Sequence, residues 1–325
     1  MGIKIIVGGQ FGGEGKGKVS HFLASKHNID IVVRVGGTNS GHTVIDRNNN
    51  KYILRELPTP AILQNSICVI AAGSYIDIDL LIKEIRITGL RKNNLIIDNN
   101  AMIITNSDIE TEVNSSLRSE IGSTLSGTGA CVQRRISREK DIKLAKDIPE
   151  LKPFVKNTKE YLNQALLDDK DIIIEGTQGF GLSLLHSEYY PYTTSRDTTA
   201  AGFLSETGLS PLDVDEIILV IRSFPIRVEG NSGNLNQEIT WNKIKKKPEL
   251  SSVTKRIRRI GKFDPEIVKQ AIIANKPTSI VLNHLDYIDL NKRKEFINYV
   301  ENSINQKIDY IGIDNIHIKN VEIYK

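Results

Sequence analysis

Six glycines fall between Gly8 and Gly17, directly behind the β-branched run Ile3-Lys4-Ile5-Ile6-Val7. Ile and Val suit a strand covered on both faces. Glycine then lets the backbone turn through positive φ and bring its N–H groups close to a ligand. Behind the loop, Val19, Phe22 and Leu23 recur at helical spacing. Strand, glycine loop and helix start together make an anion cradle, because the first N–H groups of a helix are unpaired and carry the positive end of its dipole. Lys16 and Lys18 add charge. The stretch predicts a P-loop-like phosphate-binding loop after strand 1 of an α/β fold.

The loop nearly matches a Walker A motif. Gly12, four residues, Gly17 and Lys18 fit, while Val19 stands where a Mg²⁺-binding Ser or Thr belongs. It does not follow G-x-G-x-x-G either. A plain structural turn accounts for one or two glycines but not for the paired lysines.

At 325 residues, with no repeat and no linker rich enough to divide it, the chain is expected to form a single domain over 1–325. No apolar run approaches the roughly 20 residues of a membrane helix, and the N-terminus enters a strand without a leader pattern. Cys68 and Cys131 are the only cysteines and lack metal-ligand spacing, so a reducing cytoplasm is the expected setting. A net charge of +4 is mild and does not argue for nucleic acid. The densest basic run, Lys243, Lys245, Lys246 and Lys247 before Pro248, has Trp241 nearby but no interleaved aromatics, and reads as a solvated loop.

Further along, Ile29–Val35 reads as a strand ending in the glycine-rich loop Gly36–Thr43, where open α/β sheets place ligands. Tyr52–Leu57, Ile67–Ala71, Ile172–Ile174, Ile217–Ile221, Ile280–Leu282 and Ile308–Ile313 read as strands. Helices are expected around Leu80, Leu81 and Ile85, stopping at Gly89, then over much of Leu151–Leu167, Pro265–Ala274 and Lys292–Ile304. A hydroxyl- and glycine-rich loop spans Ile121–Gly129. Alternating strands and helices give a mainly parallel central sheet flanked by helices.

Four separated pieces, Gly12-Gly13-Glu14-Gly15-Lys16-Gly17-Lys18, Gly41-His42-Thr43, Glu175-Gly176-Thr177-Gln178-Gly179 and Thr254-Lys255-Arg256-Ile257-Arg258-Arg259, resemble adenylosuccinate synthetases in order and rough spacing. The resemblance covers nearly the whole chain. It implies a purine nucleotide ligase that joins aspartate to C6 of a monophosphate, using a nucleoside triphosphate and Mg²⁺. The 6-oxygen is phosphorylated, and the aspartate amine then displaces the phosphate. The physics is sensible, since a lactam oxygen leaves poorly until phosphorylated, and catalysis rests on positioning and charge around a transferring phosphoryl.

Residue by residue, the resemblance implies that Gly12, Gly15, Lys16, Gly17 and Lys18 hold the donor phosphates. His42 matches the catalytic histidine and would act on the 6-oxygen or γ-phosphate. The Gly41 carbonyl and the Gly13 backbone would face Mg²⁺. Asn39, Ser123, Thr124, Gln178, Leu182, Thr194 and Arg227 match positions around the monophosphate nucleotide. Arg138 matches an arginine reaching the 5′-phosphate of a neighbouring subunit, which implies a homodimer; Arg134 and Arg135 are alternative matches. Thr254, Arg256 and Arg258 match the aspartate loop, where arginine's planar fork suits a dicarboxylate, although Lys255 replaces a family glycine. Asp286 matches the residue that reads the donor base, with His284 in place of a lysine and the later base-pocket element reduced to Gly312-Ile313-Asp314. ATP and GTP both stand as donors.

Gly13 stands where the family has Asp, the base for N1 and a metal ligand. A small residue there resembles a phage-associated branch that condenses dGMP with L-aspartate to N6-succinyl-2-amino-2′-deoxyadenylate. The guanine 2-amino group beside N1 needs the room an Asp side chain would fill. The expectation is therefore a dGMP ligase with Gly13 facing the purine. An ordinary IMP- and GTP-using synthetase and a catalytically silent nucleotide-binding protein stand as the other readings.

Overall fold

The computed structural model describes residues 2–324. Among them, β1 (Ile3–Gly8), β2 (Ile31–Arg34), β3 (Ile67–Ile70), β4 (Leu95–Asp98), β5 (Val155–Lys156), β6 (Ile172–Glu175), β7 (Val214–Arg222), β8 (Ser279–Asn283), β9 (Tyr310–Gly312) and β10 (Ile318–Asn320) share one sheet. Their order is β10-β9-β8-β7-β1-β6-β2-β3-β4-β5. Every neighbouring pair is parallel except β9 with β10. The α/β class and mainly parallel sheet agree with the sequence.

The central strands are short apolar runs because both faces are covered. From β1, Ile3, Ile5 and Val7 pack into one cluster with residues of the helices α3 (Thr158–Leu167), α4 (Ala200–Thr207), α5 (Pro265–Asn275) and α6 (Arg293–Ile304). Ile6, with Val32 and Ile173 beside it, points the other way onto Val19, Leu23 and Ala24 of α1 (Lys16–His27). The two-residue period of a strand does this sorting. The helix α2 (Ile78–Thr88) ends as expected at Gly89, with φ of 64°.

Three expectations are corrected. The helix expected over Leu151–Leu167 begins only at Thr158, because Asn157 caps it by accepting from Glu160 N, and Pro149–Leu151 forms a separate 3-10 turn. The strand expected over Tyr52–Leu57 is shorter, Lys51–Leu54, and pairs antiparallel with His42–Ile45 in a hairpin outside the sheet. The last expected strand shrinks to β9, and β10 follows it as an edge. Leu95–Asp98 and the helix Thr128–Ser137 were not foreseen.

Candidate active site

Of the five adjacent strands β8, β7, β1, β6 and β2, four end at their carboxyl edge in one polar residue: Asn283 on β8, Arg222 on β7, Glu175 on β6 and Arg34 on β2. All four are buried. This edge of an open parallel sheet is where ligands gather, and the expected site residues lie on the loops around it.

The glycine loop leaves β1 here and feeds α1, whose N-terminal residue Gly15 offers no side-chain cap. The Glu14 carboxylate is buried and turned back on the loop. It accepts from Gln10 N at 3.2 Å, Gly12 N at 2.7 Å and Lys16 Nζ at 2.8 Å. Lys16 Nζ also donates to the Gln178 carbonyl. Glu14 is thus occupied in ordering the loop. Lys18 Nζ donates to the Asp314 carbonyl at 2.8 Å; burial pushes it down to about 8, against the charges of Asp286 and Asp314. Gly17 permits a close approach, since a Cβ there would stand 2.8 Å from His42 Cβ.

His42 is buried against Arg34 and Glu175. Its Nδ1 lies 2.6 Å from Glu175 Oε1 and 2.7 Å from Arg34 Nη1, and Arg34 Nη1 donates to Glu175 Oε1 at 2.9 Å. Thr59 N and Oγ1 donate to the other Glu175 oxygen. Burial, then the Arg34 charge, push His42 down to about 4. Burial alone would raise Glu175, but the His42 hydrogen bond and the neighbouring charges outweigh it and hold it near about 2. The ring is therefore neutral at pH 7, and its Nε2 is buried without a partner.

Three expected nucleotide residues form one chain. Asn39 Nδ2 donates to Thr194 Oγ1 at 3.1 Å, Gln178 Nε2 donates to Asn39 Oδ1 at 2.9 Å, and Gln178 Oε1 is buried with no partner. Leu182 ends a turn close to Gly12. Ser123 Oγ accepts from Leu125 N, and Thr124 Oγ1 lies 3.1 Å from Ser126 Oγ. That hydroxyl row runs on through Thr128 to Thr38 beside Asn39. Arg138 is exposed. By contrast Arg134 binds Asp108 and Glu139, and Arg135 binds the Ala72 carbonyl. Arg227 is buried, stacked 4.3 Å from the Phe11 ring centroid and donating to the Tyr192 and Asn234 carbonyls, so it braces the site from beneath.

Gly13 sits at the meeting point of the remaining groups. Its φ is +72°, and a Cβ there would stand 2.6 Å from Ile226 Cδ1 and 3.0 Å from Arg258 Nη1. Ile226 thus fills the place an Asp side chain would enter, and the room expected there for a purine 2-amino group is taken by this side chain instead. Arg258 N donates to the Glu249 carbonyl, and its Nε is buried without a partner. Thr254 Oγ1 donates to Glu229, and Arg256 lies 3.6 Å from the same carboxylate. Lys255 takes φ of 61°, so the loop keeps a glycine-like turn although glycine is gone.

Arg222, missed in the sequence, ties this corner together. Its Nη1 donates to the Gly13 carbonyl at 2.8 Å and its Nη2 to Glu249, which also accepts from Tyr287 Oη. Burial, followed by the Arg222 charge, pushes the pKa of neighbouring His284 well down. Asn283 Nδ2 donates to the Glu14 carbonyl at 2.8 Å, which brings the Leu285–Tyr287 turn and Gly312 up to the glycine loop. Arg34 and Arg222 share one sequence signal, a lone arginine closing an apolar strand.

The residues present do not fit a Mg²⁺ cage. Among the described residues no three His, Cys, Asp or Glu side chains gather as a metal site. The Gly13 carbonyl, expected to face Mg²⁺, is turned to the Arg222 cation instead. The Gly41 carbonyl accepts from Ser252 Oγ at 3.5 Å. Mg²⁺ ordinarily takes one or two carboxylates beside substrate phosphates, and the one loop carboxylate, Glu14, is occupied.

Comparison with known proteins identifies the family. The family model described as adenylosuccinate synthetase matches residues 5–148 and 142–295. The adenylosuccinate synthetase of Methanococcus aeolicus is 39% identical over 295 residues, covering 89% of this chain and 86% of that protein. That of Methanocaldococcus jannaschii is 38% identical, covering 91% and 90%. Among solved structures, cyanophage S-2L succinoaminodeoxyadenylate synthetase, bound to dGMP and to dATP as an energy donor, superposes with a TM-score of 0.87 at 25% identity, covering 98% of this chain and 95% of that one. The fully ligated adenylosuccinate synthetase of Plasmodium falciparum gives a TM-score of 0.85 at 22% identity, covering 97% and 98%. This chain belongs to the adenylosuccinate synthetase family, and is a purine nucleotide C–N ligase.

Proposed function

We propose that the enzyme condenses dGMP with L-aspartate, driven by ATP or GTP, to give N6-succinyl-2-amino-2′-deoxyadenylate. The observation that carries this reading is Gly13. The position lacks the carboxylate that would accept the N1 proton of IMP, and Glu14 cannot stand in because the loop holds it. The cyanophage enzyme, whose structure holds dGMP, supports the same substrate.

In this reading the purine 6-oxygen attacks the γ-phosphorus, the nucleoside diphosphate leaves, and the N1 proton passes to solvent water. The aspartate amine then attacks C6, and inorganic phosphate departs with the 6-oxygen. His42 Nε2, free of protein partners, faces the 6-oxygen or γ-phosphate. Lys16, Lys18 and the N–H groups of Gly12, Gly15 and Gly17 hold donor phosphates. Asn39, Gln178, Thr194, Ser123 and Thr124 hold the monophosphate, with Leu182 and Arg227 shaping its pocket. Thr254, Arg256 and Arg258 hold L-aspartate. Mg²⁺, a family property, would arrive on the donor's phosphates, since the described residues of this chain form no cage for it. Arg138, exposed while its neighbours are engaged, would cross to a second subunit's phosphate.

The curated relatives favour a second reading, an ordinary synthetase using IMP and GTP. Phosphate release measured with dGMP, GMP and IMP, each with L-aspartate and either donor, separates them. The expected result is a kcat/KM for dGMP at least about tenfold above that for IMP, the scale of one net hydrogen bond. Faster use of IMP sinks the proposal. Binding without aspartate-dependent phosphate release would mark a silent protein.

A further inference from the structure

The lysine run that the sequence presents as a solvated loop is not uniform. Lys243, Lys245 and Lys247 are exposed, whereas Lys246 is partly covered. Its Nζ lies 3.5 Å from Asp286 Oδ2 and 5.5 Å from the Tyr287 ring centroid. The other oxygen, Asp286 Oδ1, is buried with no hydrogen-bond partner. The turn carrying Asp286 follows β8, whose last residue Asn283 is bonded to the glycine loop. The charge of Asp286 is felt by Lys18 on the first turn of α1. A nucleotide with its phosphates on that helix start would present its base to this turn.

We propose that Lys246 is a specificity-determining residue that turns the donor-base site toward adenine; this rests on the donor-site assignment given above. Guanine's pairing edge carries two adjacent donors, N1–H and the 2-amino group, and asks for a carboxylate with both oxygens free. Lys246 holds one of those oxygens, which leaves Oδ1 as a single acceptor beside a cationic donor. Adenine offers the complement, one amino donor at N6 next to the bare N1 acceptor. The lysine also repels the N1–H of guanine, so it discriminates by rejection as well as attraction. Lys246 is 37% exposed at its side chain, so its replacement leaves the core untouched.

The test uses the full enzyme and two readouts. Binding of non-hydrolysable ATP and GTP analogues is measured by calorimetry on wild type, Lys246→Met and Asp286→Ala. Turnover with ATP and GTP is then measured with whichever monophosphate is used fastest. Wild type should favour the adenine nucleotide, and Lys246→Met should shift the ATP-to-GTP ratio toward GTP by roughly twofold to fivefold, the reach of a partly exposed ion pair. Asp286→Ala should abolish the preference. An unchanged ratio in Lys246→Met, or a wild-type preference for GTP, overturns the proposal. Because analogue binding needs no monophosphate, a failure of dGMP turnover would strike the substrate reading and leave this one standing on its own readout.

Discussion

Arg34 Nη1 stands 2.7 Å from His42 Nδ1, while Glu175 Oε1 stands 2.6 Å from the same nitrogen. A guanidinium only donates and an ionised carboxylate only accepts, so a neutral imidazole cannot satisfy both. With Nδ1 protonated toward Glu175, Nε2 is an acceptor; with Nδ1 accepting from Arg34, Nε2 carries the proton and is a donor. Arg34 is thus the group that lets a neutral His42 donate to a phosphorylated oxygen. Replacing it with Lys should lower kcat more than it raises any KM, and His42→Ala should cost about 10²–10⁴-fold in kcat.

The same trio sets an acid limit on stability. His42 falls from an ordinary value of 6.5 to about 4, and Glu175 from 4.5 to about 2. Both folded values are depressed, so the unfolded chain binds more protons and stability falls as pH drops. His42 acts between pH 6.5 and about 4, and Glu175 between 4.5 and about 2. Thermal melts should show a lower Tm at pH 5 than at pH 7, with His42 contributing about 2 kcal/mol of the lost stability. His42→Gln should flatten that pH 5 to 7 slope; an equal slope in the variant would refute the assignment.

Gly13 gives a sharper substitution pair. At φ of +72° any side chain is strained, by about 1–2 kcal/mol, and a Cβ there would also meet Ile226 Cδ1 at 2.6 Å, so Gly13→Ala measures strain and that contact together. Gly13→Asp adds a carboxylate beside Arg258 and against Ile226. It should weaken dGMP use well beyond the alanine variant and raise the KM for L-aspartate, because Arg258 would turn to the new carboxylate. Equal dGMP kinetics for the two variants would show that space at this position does not govern the substrate.

Much of this was legible in the chain, and the physics explains the rest. The strand, glycine loop and helix start were readable because backbone needs and residue type coincide there. So was the gathering of Asn39, Gln178 and Thr194, although only through the family's motif order. Asn157 and Glu160 spelled out the cap that starts α3, but the apolar residues upstream drew the expected helix too far. Arg34 with Glu175, and Arg222 with Glu249, were invisible as pairs, since 141 and 27 residues separate them. Each arginine ends an apolar strand, and a charge in that place marks the ligand edge of a parallel sheet.

Arg222 and Glu249 form the strut between the Gly13 carbonyl and the aspartate loop. Arg222 is fully buried, and Glu249 is 25% exposed at its side chain. Removing one partner leaves a buried charge uncompensated, which costs about 3–5 kcal/mol in dry sites. With Glu249 partly wet, Glu249→Ala should lose about 2–3 kcal/mol in urea unfolding. It should also raise the KM for L-aspartate more than that for the donor, since Glu249 lies in the segment bonded to Arg258. A loss below about 1 kcal/mol would reduce the pair to an ordinary surface contact.

Lys18 offers a test at alkaline pH. Burial lowers it from 10.5 to about 8, with Asp286 and Asp314 holding it up in part. The folded value is depressed, so above pH 8 the free enzyme loses a positive charge that the unfolded chain keeps until about pH 10. A donor phosphate resting on Lys18 binds the charged form, so the KM for the donor should climb as pH rises from 7.5 to 9, while the KM for the monophosphate changes less. Lys18→Arg, which stays charged at any accessible pH, should flatten the rise. A donor KM that is level across this range in wild type would remove Lys18 from the phosphate site.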